Sequence, residues 1–189
     1  VWGFLWDFVA QYDSAVFSAP AFAQKLPIRQ FLISPSIDPL SDKNKELPQE
    51  TIDAVLAKYN IVADKPMITQ ISRFDRLKDP LGVIEAYLRV KKYIDCQLIL
   101  AGGTAVFEEA REKAKQDPDI HILLLPQSDI EVNALQRVAT VIVQKSLKEG
   151  FGLTVAEALW KAKPVVASNV GGIPLQIKHK YSGLLCHSI

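Results

Sequence analysis

Six apolar runs punctuate the later two-thirds of the chain: PMITQIS (66–72), CQLILAGG (96–103), IHILLLP (120–126), TVIVQKS (140–146), PVVASN (164–169) and GLLCHS (183–188). They are near-continuously hydrophobic rather than alternating, the pattern of strands covered on both faces. Between them lie stretches of helical period with legible starts. Asp79-Pro80 offers an N-cap followed by proline at the first helical position, and Leu81, Ile84 and Leu88 predict the buried stripe. Ser128 with Glu131 three positions later has the form of a capping box, and Val132, Leu135 and Val138 follow at helical spacing. Leu153, Ala156 and Trp160 repeat the pattern. Strand–helix–strand alternation with short links predicts right-handed crossovers and a doubly wound parallel sheet, so the fold class is α/β.

The opening residues read differently. They predict a helix over roughly 2–12 and two apolar strands, SAVFS (14–18) and QFLISPS (30–36). Two strands and a helix do not bury a core by themselves. The chain therefore divides into 1–47, the edge of a preceding domain with its connection, and 48–189, the α/β domain. Residues 37–50, IDPLSDKNKELPQE, are polar with two prolines and read as a linker. The first residue is Val1 and the first apolar segment already contains Asp7, which reads as a helix entered partway rather than a signal peptide.

Composition narrows the function classes. Hydrophobic residues at 49% and charged residues at 23% exclude a disordered or fibrous chain. Lys+Arg 22 against Asp+Glu 21 leaves a formal charge of +1, without the excess of a dedicated nucleic-acid binder. No charge-free apolar run approaches the roughly 18 residues that span a bilayer. Cys96 and Cys186 lie in apolar runs far apart, with no Cys-x-x-Cys, and read as buried free thiols in a reducing, cytoplasmic compartment. His121, His179 and His187 are scattered, so no structural metal is expected.

In an open parallel sheet, ligands bind beyond the carboxyl ends of the strands. After MITQIS, Arg73 and Lys78 share one strand-to-helix loop. After TVIVQKS come Glu149, Gly150, Phe151, Gly152, Leu153 and Thr154, leading into a helix that carries Glu157. Glycines allow close backbone approach, and the unpaired N–H groups of a helix start suit phosphate. Two cations and a helix N-terminus on one edge suit a diphosphate, in the ground state and as a leaving group. Glu149 would contact a group beyond the phosphates. Glu157, placed in the first helical turn, would accept hydrogen bonds from a pair of ribose hydroxyls. Gly102-Gly103 and Gly171-Gly172 add tight turns on the same edge. Each element also has a plainer reading: a solvated loop cation, an acid that complements the helix dipole, a simple turn. Their convergence on one edge favours a site. Asp117-Pro118-Asp119 has the letters of a metal-binding Asp-x-Asp, but it precedes IHILLLP with proline inside and reads as a turn.

EGFGLTVAE (149–157) resembles the glutamate–seven residues–glutamate motif of the retaining glycosyltransferases of family 4, in the two-Rossmann-domain class called GT-B. SRFDRLKDP resembles that family's phosphate-binding loop, and AGG followed by SNVGGIP matches two further landmarks in order. PSIDPLSDKN, ITQISRFD, EVNALQR, EGFGLTVAEALWKAKPV and GGIPLQI resemble the trehalose-forming branch, the archaeal trehalose synthases, and Leu175 stands where the broad family often has glutamate.

The resemblance implies a retaining hexosyltransferase that moves glucose from a nucleotide-diphosphate glucose to a sugar acceptor, glucose itself in the trehalose-forming branch. Glu149, Arg73 and Lys78 would be the catalytic residues, the two cations on the donor diphosphate. Glu149 and the backbone of Gly150, Phe151 and Gly152 would orient the donor sugar, Leu153 and Thr154 would present N–H groups to phosphate, and Glu157 would hold the ribose. Residues 125–131, LPQSDIE, would border the base. Substitution would proceed at the front face without a protein nucleophile. No tightly bound cofactor, required divalent metal, nucleic acid or membrane is implied, and a homodimer is left open. Residues 1–47 would then be a remnant of an N-terminal Rossmann domain, and 48–189 a C-terminal nucleotide-sugar-binding domain incomplete at its end. The rivals are a nucleotide-sugar-binding module without activity of its own, another family member of sucrose- or glycogen-synthase type, and a sugar-nucleotide epimerase. The last would need an acid/base pair flanking the sugar, which the sequence does not offer.

Overall fold

The computed structural model describes residues 1–103, 107–115 and 117–187. Along the chain run α1 (Trp2–Val9), β1 (Ser14–Phe17), β2 (Arg29–Leu32), α2 (Gln49–Lys58), β3 (Met67–Ile71), α3 (Pro80–Val90), β4 (Gln97–Gly102), α4 (Phe107–Ala114), β5 (Ile120–Leu124), α5 (Asp129–Val138), β6 (Val141–Gln144), α6 (Leu153–Trp160), β7 (Val165–Ser168) and β8 (Leu184–Cys186). All six apolar runs are strands, although Ser188, at the end of the last run, lies outside the described residues. They form one sheet in the order β5-β4-β3-β6-β7-β8. Every neighbouring pair in it is parallel. This is the doubly wound α/β fold that the sequence predicts. β1 and β2 pair in parallel in a small sheet of their own, and α1 buries none of its residues.

Alternate residues of each central strand face opposite layers, as a pleated strand requires. Ile99 and Ala101 pack with Ile52, Val55 and Leu56 of α2 and Leu135 of α5. Leu98 and Leu100 pack with Val83, Ile84 and Tyr87 of α3 and Ala110 of α4. Val155 and Ala158 of α6 close a third cluster over Ile142 and Val165. The opposite side of β6 and β7 carries Val141, Val143 and Val166, which line an apolar recess of about 440 Å³ beside α3.

Two predicted helix faces are corrected. In α3 the buried residues are Pro80, Val83, Ile84 and Tyr87, and Leu88 is exposed. In α6 they are Val155, Glu157 and Ala158, whereas Leu153 and Trp160 point to solvent. Both helices are apolar over more than one stripe, so period alone leaves the facing side undetermined. In α5 the prediction holds for Leu135, with Val132 and Val138 half-buried. Cys96 is buried as expected, but Cys186 is exposed because β8 is the outer strand of the sheet.

Residues 38–46, within the stretch that reads as a linker, are pinned to the domain by hydrogen bonds. Asn133 Nδ2 donates to the carbonyls of Asp42 at 2.9 Å and Lys45 at 2.8 Å. Arg137 donates to the Lys45 carbonyl at 2.9 Å and to Glu46 at 2.7 Å. Asn44, only 3% exposed, accepts from Lys161 Nζ at 2.9 Å. Among the described residues no helix is long and apolar enough to cross a membrane.

Candidate functional site

The strand order changes direction between β3 and β6: β4 and β5 lie outward on one side, β7 and β8 on the other. The helices that follow β3 and β6 lie on opposite faces of the sheet, which sets a crevice at the carboxyl edge, where open α/β sheets bind ligands. Both candidate loops end at this crevice.

The β3 loop is shaped by its acids. Asp75 Oδ1 accepts from the N–H groups of Leu77 at 2.9 Å and Lys78 at 3.2 Å, closing a short 3-10 turn over Arg76–Lys78. Asp79 caps α3 through Gly82 N–H at 3.1 Å, from a left-handed backbone (φ 45°) that its side chain helps to hold, and its other oxygen accepts from Lys145. Lys78 thereby points inward. Arg73 points outward: its side chain is 80% exposed and lies 3.2 Å from Asp75.

The two loops are joined by a buried amide. Gln70 Nε2 donates to the Lys78 carbonyl and its Oε1 accepts from the Lys145 N–H, both at 2.9 Å. Leu147 N–H adds a direct bond to the Leu77 carbonyl at 2.8 Å.

Glu149 collects donors from both sides. Oε2 accepts from Lys78 Nζ, from Ser146 Oγ at 3.1 Å and from Gln144 Nε2 at 3.2 Å, and Oε1 accepts from Gly150 N–H at 3.1 Å. Burial pushes this carboxyl up, but the Lys78 ammonium, the Ser146 hydroxyl and the Gly150 N–H outweigh it, so its pKa lies below the ordinary value. Glu149 is a fixed anion at neutral pH.

The glycine loop is braced from behind. A Cβ at Gly171 would fall 1.9 Å from the Glu149 carbonyl oxygen, and Gly171 has φ 58°, so glycine is required there twice over. Gly172 N–H donates to the Gly150 carbonyl at 2.8 Å, and Gln176 Nε2 donates to the Phe151 carbonyl at 2.6 Å. Gly171 and Gly172 thus shape the loop behind the crevice. Similarly, a Cβ at Gly102 would meet the Ser72 carbonyl at 1.7 Å, so that glycine admits the β3 loop. Gly152 (φ 89°) starts α6 without a side-chain cap. Among the described residues the N–H groups of Leu153 and Thr154 have no hydrogen-bond partner. Unpaired N–H groups at a helix start are groups that suit a phosphate.

Glu157 departs from expectation. It lies in the second turn of α6, not the first, and is 5% exposed. Its Oε2 accepts from Gln136 Nε2 at 2.9 Å, and Lys43 faces Oε1 at 3.6 Å. A neighbouring shallow recess of about 710 Å³ is lined by Asp42, Pro126, Gln127, Ser128, Asp129, Ile130 and Val132. Lys43, which faces Glu157, is also 3.9 Å from Asp129 in the lining of this recess.

The sequence reading missed Gln70, Gln144, Ser146 and Gln136. A signal for the first two was present: ITQIS and VIVQKS each carry glutamine near the carboxyl end of an otherwise apolar strand. A buried amide persists only when paired, and so marks a constructed edge. Asp117-Pro118-Asp119 is the turn expected, with both acids bound by Lys91. Among the described residues no group of three His, Cys, Asp or Glu side chains is arranged to hold a metal ion.

A family model described as Glycosyl transferases group 1 matches residues 51–188, most of the chain and all of the crevice. The chain belongs to this family. Among its relatives, a trehalose synthase from Pyrococcus horikoshii is 44% identical over 97% of this chain and 48% of its own. One from Rubrobacter xylanophilus is 43% identical over 92% of this chain and 45% of its own. The chain thus spans about half the length of these curated relatives. Among solved structures, the Anabaena protein Alr3699/HepE in complex with UDP and glucose superposes with a TM-score of 0.80 at 17% identity, over 97% of this chain and 52% of that one. At that identity the likeness shows the fold alone, the GT-B type.

Proposed function

We propose that the chain binds the donor of a retaining hexosyltransferase, which moves glucose from a nucleotide-diphosphate glucose to a sugar acceptor, glucose itself, to give trehalose. The observation that carries this is the pairing of Lys78 with Glu149 beside the uncapped start of α6. That places a cation, a fixed anion and free N–H groups around one point of the crevice. The relatives named trehalose synthase support the trehalose-forming branch.

In this reading the diphosphate lies at the N-terminus of α6, on the Leu153 and Thr154 N–H groups, with Lys78 and the outward Arg73 on its oxygens. Glu149 and the backbone of Gly150, Phe151 and Gly152 orient the glucosyl group, and Glu157 holds the ribose. The bond from the anomeric carbon to the diphosphate breaks, and the acceptor hydroxyl oxygen forms its bond on the same face. Its proton passes to the departing phosphate oxygen. Lys78 and the helix start stabilise the growing negative charge, which favours the transition state over the bound donor. No resident cofactor or divalent metal is part of this reading. The unpaired thiols of Cys96 and Cys186 support a cytoplasmic setting.

The test is a panel of nucleotide glucoses and acceptor sugars incubated with the full chain, with products identified by NMR. Formation of α,α-linked disaccharide is expected. Donor binding by calorimetry without any transfer would instead favour a binding module.

A further inference from the structure

We propose that Lys43 reads the ribose of the nucleotide, distinguishing it from 2′-deoxyribose together with Glu157; the inference rests on the donor-site reading above. Lys43 belongs to the polar segment that its sequence marks as a linker, yet its backbone is fixed on both sides. Asn133, fully buried, holds the carbonyls of Asp42 and Lys45, and Asn44 is buried against Lys161. Between these anchors the Lys43 side chain, 37% exposed, extends between Glu157 and Asp129.

Its ammonium lies 3.6 Å from Glu157 Oε1 and 3.9 Å from Asp129 Oδ1, beyond hydrogen-bond length for either. Among the described residues it makes no hydrogen bond, so its three donors remain available. Glu157 is the opposite case. Its Oε2 is fixed by Gln136, itself fully buried, which leaves Oε1 as the oxygen turned to Lys43.

A carboxylate accepts a hydroxyl proton but supplies nothing to the hydroxyl's own lone pairs. An ammonium does the reverse. Set side by side, Glu157 Oε1 and Lys43 Nζ engage both halves of one hydroxyl: the O–H donates to the carboxylate, and the oxygen accepts from the ammonium. The recess lined by Pro126–Ile130 next to them suits a planar base, which puts the ribose, with its vicinal diol, at this pair. An analogue lacking the hydroxyl leaves a charged pair without its bridging partner, the situation in which polar sites discriminate most strongly.

The test measures UDP, ADP and GDP and their 2′-deoxy counterparts by calorimetry on the full chain, as wild type, Lys43→Met and Lys43→Arg. Wild type should prefer the ribonucleotide by at least about tenfold. Lys43→Met should lose most of that preference by weakening the ribonucleotide, with the deoxy form changed less than about twofold, and Lys43→Arg should restore it. If Lys43 only ties the segment down, Lys43→Met weakens both ligands equally and lowers the melting temperature, which overturns the proposal. An unchanged preference in Lys43→Met overturns it too, while nucleotide binding itself leaves the donor site standing. Failure of wild type to bind any of the six ligands overturns the donor-site reading and the ribose proposal with it.

Discussion

Lys78 donates to Oε2 of Glu149 across the crevice between the β3 and β6 loops. Their side chains are 16% and 12% exposed, so this is a partly buried pair rather than a surface one. Such a pair fixes geometry as much as it stabilises, because neither charge tolerates losing its partner. On the proposed reading, the cation assigned to the diphosphate is held by the acid assigned to the sugar.

Glu149→Ala should therefore separate two functions. Sugar transfer should fall by about 100-fold or more, the scale of losing one oriented polar contact in the transition state. Nucleoside diphosphate affinity should hold or tighten, because Lys78 is released to the phosphate. Steady-state kinetics with calorimetry on the same variant checks both, and weakened nucleotide binding with normal turnover would contradict the assignment.

The same carboxyl gives an acid-limb prediction. Its folded-state pKa lies below the ordinary 4.5, so the folded protein binds fewer protons there than the unfolded chain. The stability it contributes is complete above about pH 4.5 and is lost as pH falls through the folded value. The stability gap between wild type and Glu149→Gln, from urea unfolding, should be widest at neutral pH and narrow towards pH 3.

Lys161 has the opposite alkaline behaviour. Burial against α6 and Asn44 lowers its pKa from 10.5 to about 8, which the nearby Glu157 only partly offsets. Below pH 8 the folded protein carries the full cost of this buried charge, and stability from this group rises as pH climbs from about 8 to 10.5. Lys161→Met should flatten that part of the difference curve. A parallel pair of curves for wild type and variant would refute the assignment.

Gly171→Ala tests the brace behind the loop. The added Cβ would meet the Glu149 carbonyl, and φ 58° costs an L-residue about 1–2 kcal/mol even without the clash. A stability loss above about 2 kcal/mol is expected, together with weaker nucleotide binding. Urea unfolding and calorimetry measure the two.

The sheet was legible because each strand is an apolar run that only a doubly covered position explains. Helix faces were less so. LTVAEALW offers two apolar stripes, and the one that carries Val155 and Ala158 meets the sheet. α2 went unassigned, although Ile52, Val55 and Leu56 carry the helical spacing. Residues 38–46 read as a linker because backbone carbonyls bonded to Asn133 and Arg137 hold them, and carbonyls have no letter code. The Arg73–Lys78 loop and the Glu149–Glu157 segment were visible from their charges and glycines. Gln70 and Gln144, which position them, are marked only by their place near the ends of apolar strands, and Gln136, beside Arg137 in a helix, carries no such mark.

Gln70 has a consequence for how the sheet is closed. Backbone pairing between β3 and β6 covers Ile68 with Val141 and Thr69 with Ile142, whereas β3 pairs with β4 along its whole length. Where that short ladder stops, the Gln70 amide takes the next rung, offering one donor and one acceptor as a peptide group would, but on a longer arm. The seam is left partly unzipped, with a side chain as its stop. Whatever binds between Lys78 and the start of α6 spans that seam and acts as an additional rung, so amide exchange in β3 and β6 should slow together when the crevice is filled.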